Sequence, residues 1–153
     1  MNIAALEKYL HQRIPASLTL GIRVLEATKQ KVVLNAPIAL NINHKKTVFG
    51  GSLQSVATLS CWCLLFINIE STALKETLQT EIVISESNIK YLAPVTGDFS
   101  AKCSIEDIAA LERFKITLTK RGMARINLHA IIHQDGRLAV DYHGTFVGIN
   151  NSI

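Results

Sequence analysis

The feature that most constrains this fold is a stretch without charge: residues 47–69 contain no Asp, Glu, Lys or Arg. Polar and small residues are nevertheless scattered through it, at Gly50, Gly51, Ser52, Gln54, Ser55, Thr58, Ser60 and Asn68. A helix apolar on nearly all sides either crosses a membrane or is wrapped by the rest of its domain. The apolar run here is broken too often for a lipid-facing span, and strand-like segments rather than further spans surround it. The sequence therefore predicts a buried central helix over about residues 50–69, with Gln54, Thr58 and Cys61 at helical spacing as a narrow polar stripe.

The flanking segments supply the wrapping. Ile3, Leu6, Leu10 and Ile14 lie at three- and four-residue steps, one face of a short amphipathic helix that Pro15 is expected to end. Residues 18–25 and 31–36 read as two strands of a hairpin joined by the polar stretch 26–30. After the long helix and a short polar connection, residues 80–92 alternate up to Pro94. Residues 95–105 read as a second strand after the Gly97-Asp98 turn, and 106–111 as a short helical or looping excursion. Ile126, Leu128, Ala130 and Ile132 then alternate with Asn127, His129 and His133, and Asp135-Gly136 turns the chain into residues 138–149, which alternate through Val140, Tyr142 and Phe146. No internal repeat is apparent. This order predicts an α+β fold, an antiparallel sheet curled around one helix. Such a sheet cannot close its edges within one small chain, so a second copy is expected, as a homodimer or a dimer of dimers.

A chain of 153 residues with 48% hydrophobic residues is long enough for one well-buried core, and 1–153 reads as a single domain. Residues 1–13 include Glu7, Lys8 and His11, which is not the pattern of a secretory leader, so a cytoplasmic location is expected. Cys61, Cys63 and Cys103 then read as free thiols; the two beside Trp62 are core positions rather than nucleophiles, with no base at a local spacing. The net charge of +4 gathers at Lys45-Lys46 and at Lys120-Arg121 with Arg125. A solvated surface is the plainer explanation, though an acidic carrier protein or the phosphates of coenzyme A would suit the same lysines. Nucleic acid is disfavoured, because aromatic residues are 6% of the chain and none interleave a basic strand.

The turn over residues 41–51, Asn-Ile-Asn-His-Lys-Lys-Thr-Val-Phe-Gly-Gly, is the candidate site. The first N–H groups of a helix lack intrahelical partners and carry the positive end of its dipole, so they can donate to a developing oxyanion. Gly50 and Gly51 would let a carbonyl approach that backbone. The alternative is that the glycines only let the helix start pack against a strand.

Asn43-His44, the run Thr47-Val48-Phe49-Gly50-Gly51-Ser52-Leu53, and Ile89-Lys90-Tyr91-Leu92-Ala93-Pro94-Val95 followed by Gly97-Asp98 resemble hot-dog-fold thioesterases. The similarity is greatest to a bacterial thioesterase domain also found fused to GNAT-type acetyltransferases. It implies hydrolysis of acyl-CoA or acyl carrier protein thioesters, with no cofactor beyond the coenzyme A or phosphopantetheine of the substrate. The resemblance implies substrate contacts from Val48, Phe49, Gly50 and Ser52, and an acyl chain running along the helix near Val56, Leu59 and Trp62.

Many hydrolases of that kind place a carboxylate on the helix seven residues after the second glycine, a position held here by Thr58. A threonine is no general base near neutral pH, although its hydroxyl can hold a water. Asn43 and His44 are the remaining candidates to orient and deprotonate that water, with Gly51 holding the oxyanion and Ser87 or Asn88 assisting. His44 as a solvated loop residue and Asn43 as a turn former explain those two equally well. Without the carboxylate, a non-hydrolytic acyl-carrier binding module serving an acyltransferase is the alternative; a dehydratase, which needs a His paired with an acid, fits least. His129, His133 and His143, with Asp141, form a second cluster whose facing depends on hairpin register; no metal site is expected there.

Overall fold

The computed structural model describes residues 1–70 and 79–152. Helix α1 (Ile3–Arg13) starts at Asn2, whose side chain accepts from the Ala5 N–H, and buries Leu6 and Leu10. Pro15 does more than stop it. Pro at a first helical position loses no hydrogen bond, and a second short helix, α2 (Pro15–Thr19), begins there. The expected strand over 18–25 is thereby displaced: Leu18 and Thr19 are helical, Gly21 turns the chain with φ +69°, and β1 spans Arg23–Ala27. Glu7 fastens α1 to that strand, accepting from the Val24 N–H (2.9 Å) and pairing with Arg23 (3.0 Å).

Strand β2 (Lys31–Ala36) leads through a single 3-10 turn (Ile38–Leu40) to the 41–51 turn and then to α3 (Gly50–Glu70). The polar connection expected after this helix lies outside the described residues. β3 (Thr80–Tyr91), β4 (Phe99–Ser104), β5 (Met123–Gln134) and β6 (Arg137–Asn150) complete one six-stranded sheet in the order β1-β2-β4-β5-β6-β3, with every pairing antiparallel. The α+β arrangement expected from the sequence is the one observed.

The expected short excursion at 106–111 is a full helix, α4 (Ile108–Arg121). Asp107 caps it by accepting from the Ala110 N–H, Gly122 closes it in the left-handed conformation, and Leu111, Phe114 and Leu118 form its buried face. That face meets the sheet at Gly148, where a Cβ would come within 2.8 Å of the Phe114 ring. The cap marks only the first turn, whereas the apolar spacing runs along the helix to Leu118.

α3 runs along the inner face of the sheet. By length and composition it could cross a membrane, but 78% of its most apolar window is inside the fold. Val56, Leu64, Leu65, Tyr142 and Phe146 are at most 1% exposed. At roughly 1.5–3 kcal/mol for each large apolar side chain removed from water, this face is a principal stabiliser of the domain. Cys61, Cys63 and Cys103 are buried free thiols in the same core, and burial raises the pKa of Cys61 and Cys63. Asn68 ties the far end of the helix to the β1–β2 turn, donating to the Lys29 carbonyl (2.9 Å).

The inner and outer faces of β3 change parity at one residue. Ile84 pairs with Phe146 and Glu86 with Thr145, leaving Ser85 as an unpaired bulge. Upstream, Ile82 and Ile84 share the inner face with Phe146; downstream, the inner positions are Ser87, Ile89 and Tyr91, opposite Gly144, Tyr142 and Val140.

A candidate active site at the start of the central helix

The 41–51 turn is held by its own backbone. Ile42 and Val48 form an antiparallel bridge, the Asn43 N–H donates to the Thr47 carbonyl (2.8 Å), and Lys46 takes a positive φ of 61°. The Asn43 side chain serves the same end. Its oxygen accepts from the Lys45 and Thr47 N–H groups, and its NH2 donates to the Thr47 hydroxyl (2.9 Å). This is a turn-forming amide with most of its capacity committed. His44 stands exposed at the tip and makes no side-chain hydrogen bond among the described residues. Buried Asn41 anchors the base of the turn, donating to the Leu20 and Pro37 carbonyls, while its own carbonyl accepts from the Phe49 N–H (2.7 Å).

At the helix entry the Phe49 carbonyl accepts from both the Ser52 and Leu53 N–H groups. The Gly50 and Gly51 N–H groups lie ahead of the first intrahelical bond and have no backbone acceptor among the described residues. A Cβ on Gly51 would sit 2.5 Å from the Phe49 ring, and one on Gly50 would touch the Tyr91 ring at 3.4 Å. The Tyr91 hydroxyl donates to the Gly50 carbonyl (3.1 Å), so the glycine pair is fitted between two aromatic rings. Both expected roles of the glycines, close packing and an open backbone, therefore coexist.

Beside this entry runs a groove of about 520 Å³, lined by Ile14, Ala16 and Leu20 on one side, by Gly51, Gln54, Ser55, Thr58 and Leu59 of α3, and by Ile84 and Ser87 of β3. Its polar groups form a connected set. The Gln54 amide donates to the Ser87 hydroxyl (3.1 Å). The Thr58 hydroxyl lies 2.8 Å from the Gln54 carbonyl and 2.9 Å from the hydroxyl of Tyr142. One hydroxyl proton cannot serve both, so Thr58 donates to the carbonyl and accepts from Tyr142. Burial pushes the Tyr142 phenol up to about 12, which keeps it a neutral donor.

Among the described residues, no ionisable side chain lines the groove. Gly51, Thr58 and Ser87 of the expected set come together there. Gln54 and Tyr142 complete the network; the helical stripe pointed to Gln54, whereas nothing in the sequence linked Tyr142 to Thr58 across 84 positions. Asn88, expected to assist, is instead placed on the outer face opposite His143 by the Ser85 bulge. Val48 and Ser52 are buried; Val48 lines a separate recess with Gly50, Leu53 and Tyr91. Phe49 is exposed over the glycines. Of the residues expected along the acyl chain, Leu59 lines the groove, Val56 is packed into the core, and Trp62 is stacked with Phe66 at 4.9 Å while its N–H donates to the Ile82 carbonyl.

The second histidine cluster faces the other way. His129 and His143 are directly opposed across β5 and β6, with rings 4.3 Å apart and nearly parallel, whereas His133 lies further along the hairpin, opposite Leu138. Burial opposes the His129 charge, but hydrogen bonds to Glu106 and Asp141 outweigh it and raise the pKa. The bond to His129 in turn lowers that of Asp141.

A family model described as “Putative thioesterase (yiiD_Cterm)” matches residues 3–150. Among solved structures, a Chlorobaculum tepidum protein of unknown function is 29% identical over 97% of this chain and 94% of its own, with a TM-score of 0.88. A Shewanella oneidensis protein named as a putative thioesterase is 28% identical over 96% of each chain, with a TM-score of 0.81. A Haemophilus influenzae thioesterase shares the fold at a TM-score of 0.72 and 16% identity, over 98% of this chain and 92% of its own. The sheet wrapped on one long helix is thus the hot-dog fold.

Proposed function

This chain belongs to the YiiD_C thioesterase family, and on that premise we propose that it hydrolyses acyl thioesters of coenzyme A or acyl carrier protein at the start of α3. The observation that carries the reading is the meeting of two uncommitted helix N–H groups with an apolar groove that ends in a neutral hydrogen-bonding network. The thioester carbonyl oxygen is received by the Gly51 N–H, which stabilises the charge that develops when water attacks the carbonyl carbon. The acyl chain lies against Ile14, Leu20, Leu59 and Ile84, and the Gln54–Ser87 and Thr58 groups orient the water. Collapse of the tetrahedral intermediate expels the thiolate, which takes a proton and leaves as free thiol. Lys45 and Lys46 at the exposed turn suit the phosphates of the carrier group.

Because the groove has no base of its own, the proton acceptor comes from outside it. His44 of a second copy is the residue we assign. Among the described residues β3 is the last strand of the sheet, with an unpaired edge beside Ile84 and Ser87, so a partner adding its own β3 there would extend the groove walls. Sedimentation velocity is expected to show a dimer or a dimer of dimers.

The absence of an ionisable side chain from the groove also favours a second reading, a thioester-binding module that passes its ligand to an acyltransferase. Turnover of an acyl-CoA panel, read as free thiol release, separates the two. Hydrolysis is expected, with Gly51→Ala lowering kcat by about a hundredfold and His44→Ala lowering it more than it changes KM. Tight binding of a thioether analogue, with no thiol released from any thioester, would transfer the conclusion to the binding module.

A further inference from the structure

We propose that His129, Asp141 and His143 on the outer face of the β5–β6 hairpin form a binding site for one divalent transition-metal ion of the zinc class, supported by Glu106. The nitrogen and oxygen atoms that the three residues offer all lie within 4.8 Å of one another. Two imidazoles and one carboxylate are a ligand set that suits zinc, cobalt, nickel or copper and leaves a position for water, whereas magnesium and calcium prefer oxygen ligands alone.

Two features make this more than a chance grouping of surface polar residues. The His129 Nδ1–H donates to Glu106 (2.8 Å), a carboxylate brought in by the loop between β4 and α4. That bond fixes the tautomer and aims Nε2 at Asp141, 2.5 Å away, which is the outer-shell arrangement that orients a metal-bound imidazole. The register of the hairpin, moreover, sets His143 directly across from His129, with its Nε2 3.4 Å from the same Asp141 oxygen. His129 and Asp141 are about three-quarters buried at the side chain, and His143 is the most exposed of the three. Bonds of about 2.0–2.2 Å from metal to ligand require the three atoms to settle slightly over 3 Å apart. His129 and Asp141 must therefore separate a little and His143 must approach. The ion replaces the proton on His129 Nε2, and that proton passes to solvent. Lys90, opposite Asp141 on β3, is a nearby cation that opposes the ion, and its long side chain can turn away.

The site lies on the face of the sheet opposite the α3 groove, so it does not depend on the thioesterase reading. Protein stripped with chelator and titrated with cobalt(II) is expected to develop visible absorption that saturates at one ion per chain, and zinc(II) titrated by calorimetry should give the same stoichiometry. His143→Gln and Asp141→Asn should each weaken binding at least tenfold, Glu106→Gln by about tenfold, and His133→Gln not at all, with far-ultraviolet dichroism and thiol release from acyl-CoA unchanged throughout. Absence of saturable binding at millimolar metal, or binding that His143→Gln and Asp141→Asn both leave intact, would overturn the site.

Discussion

The two faces of the same strands carry opposite chemistry. On the inner face, Gln54, Thr58, Ser87 and Tyr142 make a network with no formal charge beside the open N–H groups of a helix. On the outer face, His129, Asp141, His143 and Glu106 are ionisable and paired with one another. Tyr142 and His143 are neighbours in sequence, yet they belong to different sites. A buried face penalises charge, so it does its electrostatic work with backbone dipoles and neutral hydroxyls; a face open to water can hold imidazoles and carboxylates at little cost. The Ser85 bulge keeps the two sets apart along β3, by sending Ser87 inward and Glu86, Asn88 and Lys90 outward.

Gly144→Val is the severest way to break this division. Gly144 lies on the inner face opposite Ser87, and a Cβ there would come within 2.7 Å of the Phe146 ring and 2.9 Å of the Tyr142 hydroxyl, so we expect a destabilisation of roughly 1–3 kcal/mol with loss of thioester turnover. Melting curves with an activity assay check it, and an unchanged melting temperature with full turnover would show that the inner face has room to spare beside the Tyr142 hydroxyl.

A milder pair of variants sharpens the same contrast. Gln54→Ala is expected to reduce kcat about tenfold, in keeping with a group that positions rather than transfers a proton, whereas Asn88→Ala should leave kcat and KM unchanged. Equal effects from the two would place the functional surface of β3 on the wrong side.

The smallest expected effect is one of pH. Because the folded state raises the pKa of His129 above 6.5, the stability this gives is fully present below pH 6.5 and fades as the pH climbs through the folded value. Asp141 is lowered from 3.8, so its contribution is present above that pH and is lost as the pH falls through the folded value. The difference in melting temperature between the wild-type protein and His129→Gln should therefore be widest between pH 4 and 6 and shrink by pH 8. A difference independent of pH would mean that the cluster is not linked to folding.

Much of the architecture was legible in the residues. The charge-free run 47–69 predicted α3, the alternation around Asp135-Gly136 predicted the β5–β6 hairpin, and residues 31–36 matched β2. The misses have local causes. Pro15 was read as a stop when it also starts a helix, and α4 was cut short because its periodic apolar face runs on through Phe114 and Leu118, well past residue 111. In the site, the glycine pair and the stripe through Gln54 and Thr58 were visible, since both depend on helical spacing alone. The choice between Ser87 and Asn88 was not, because adjacent strand residues point to opposite faces and one unpaired residue reverses which is which.

What the sequence determined by itself is the part set by composition and short-range period: a long helix with no charge to solvate must be buried, and a glycine pair at its start leaves backbone open there. Tertiary structure decided what depends on two segments at once. The bulge against β6 brought Ser87 to Gln54, the fold of the sheet brought the Tyr142 hydroxyl to Thr58, and hairpin register stacked His143 on His129. Each of these is a relation between strands or between strand and helix, and the period of a single segment carries no information about its offset from another.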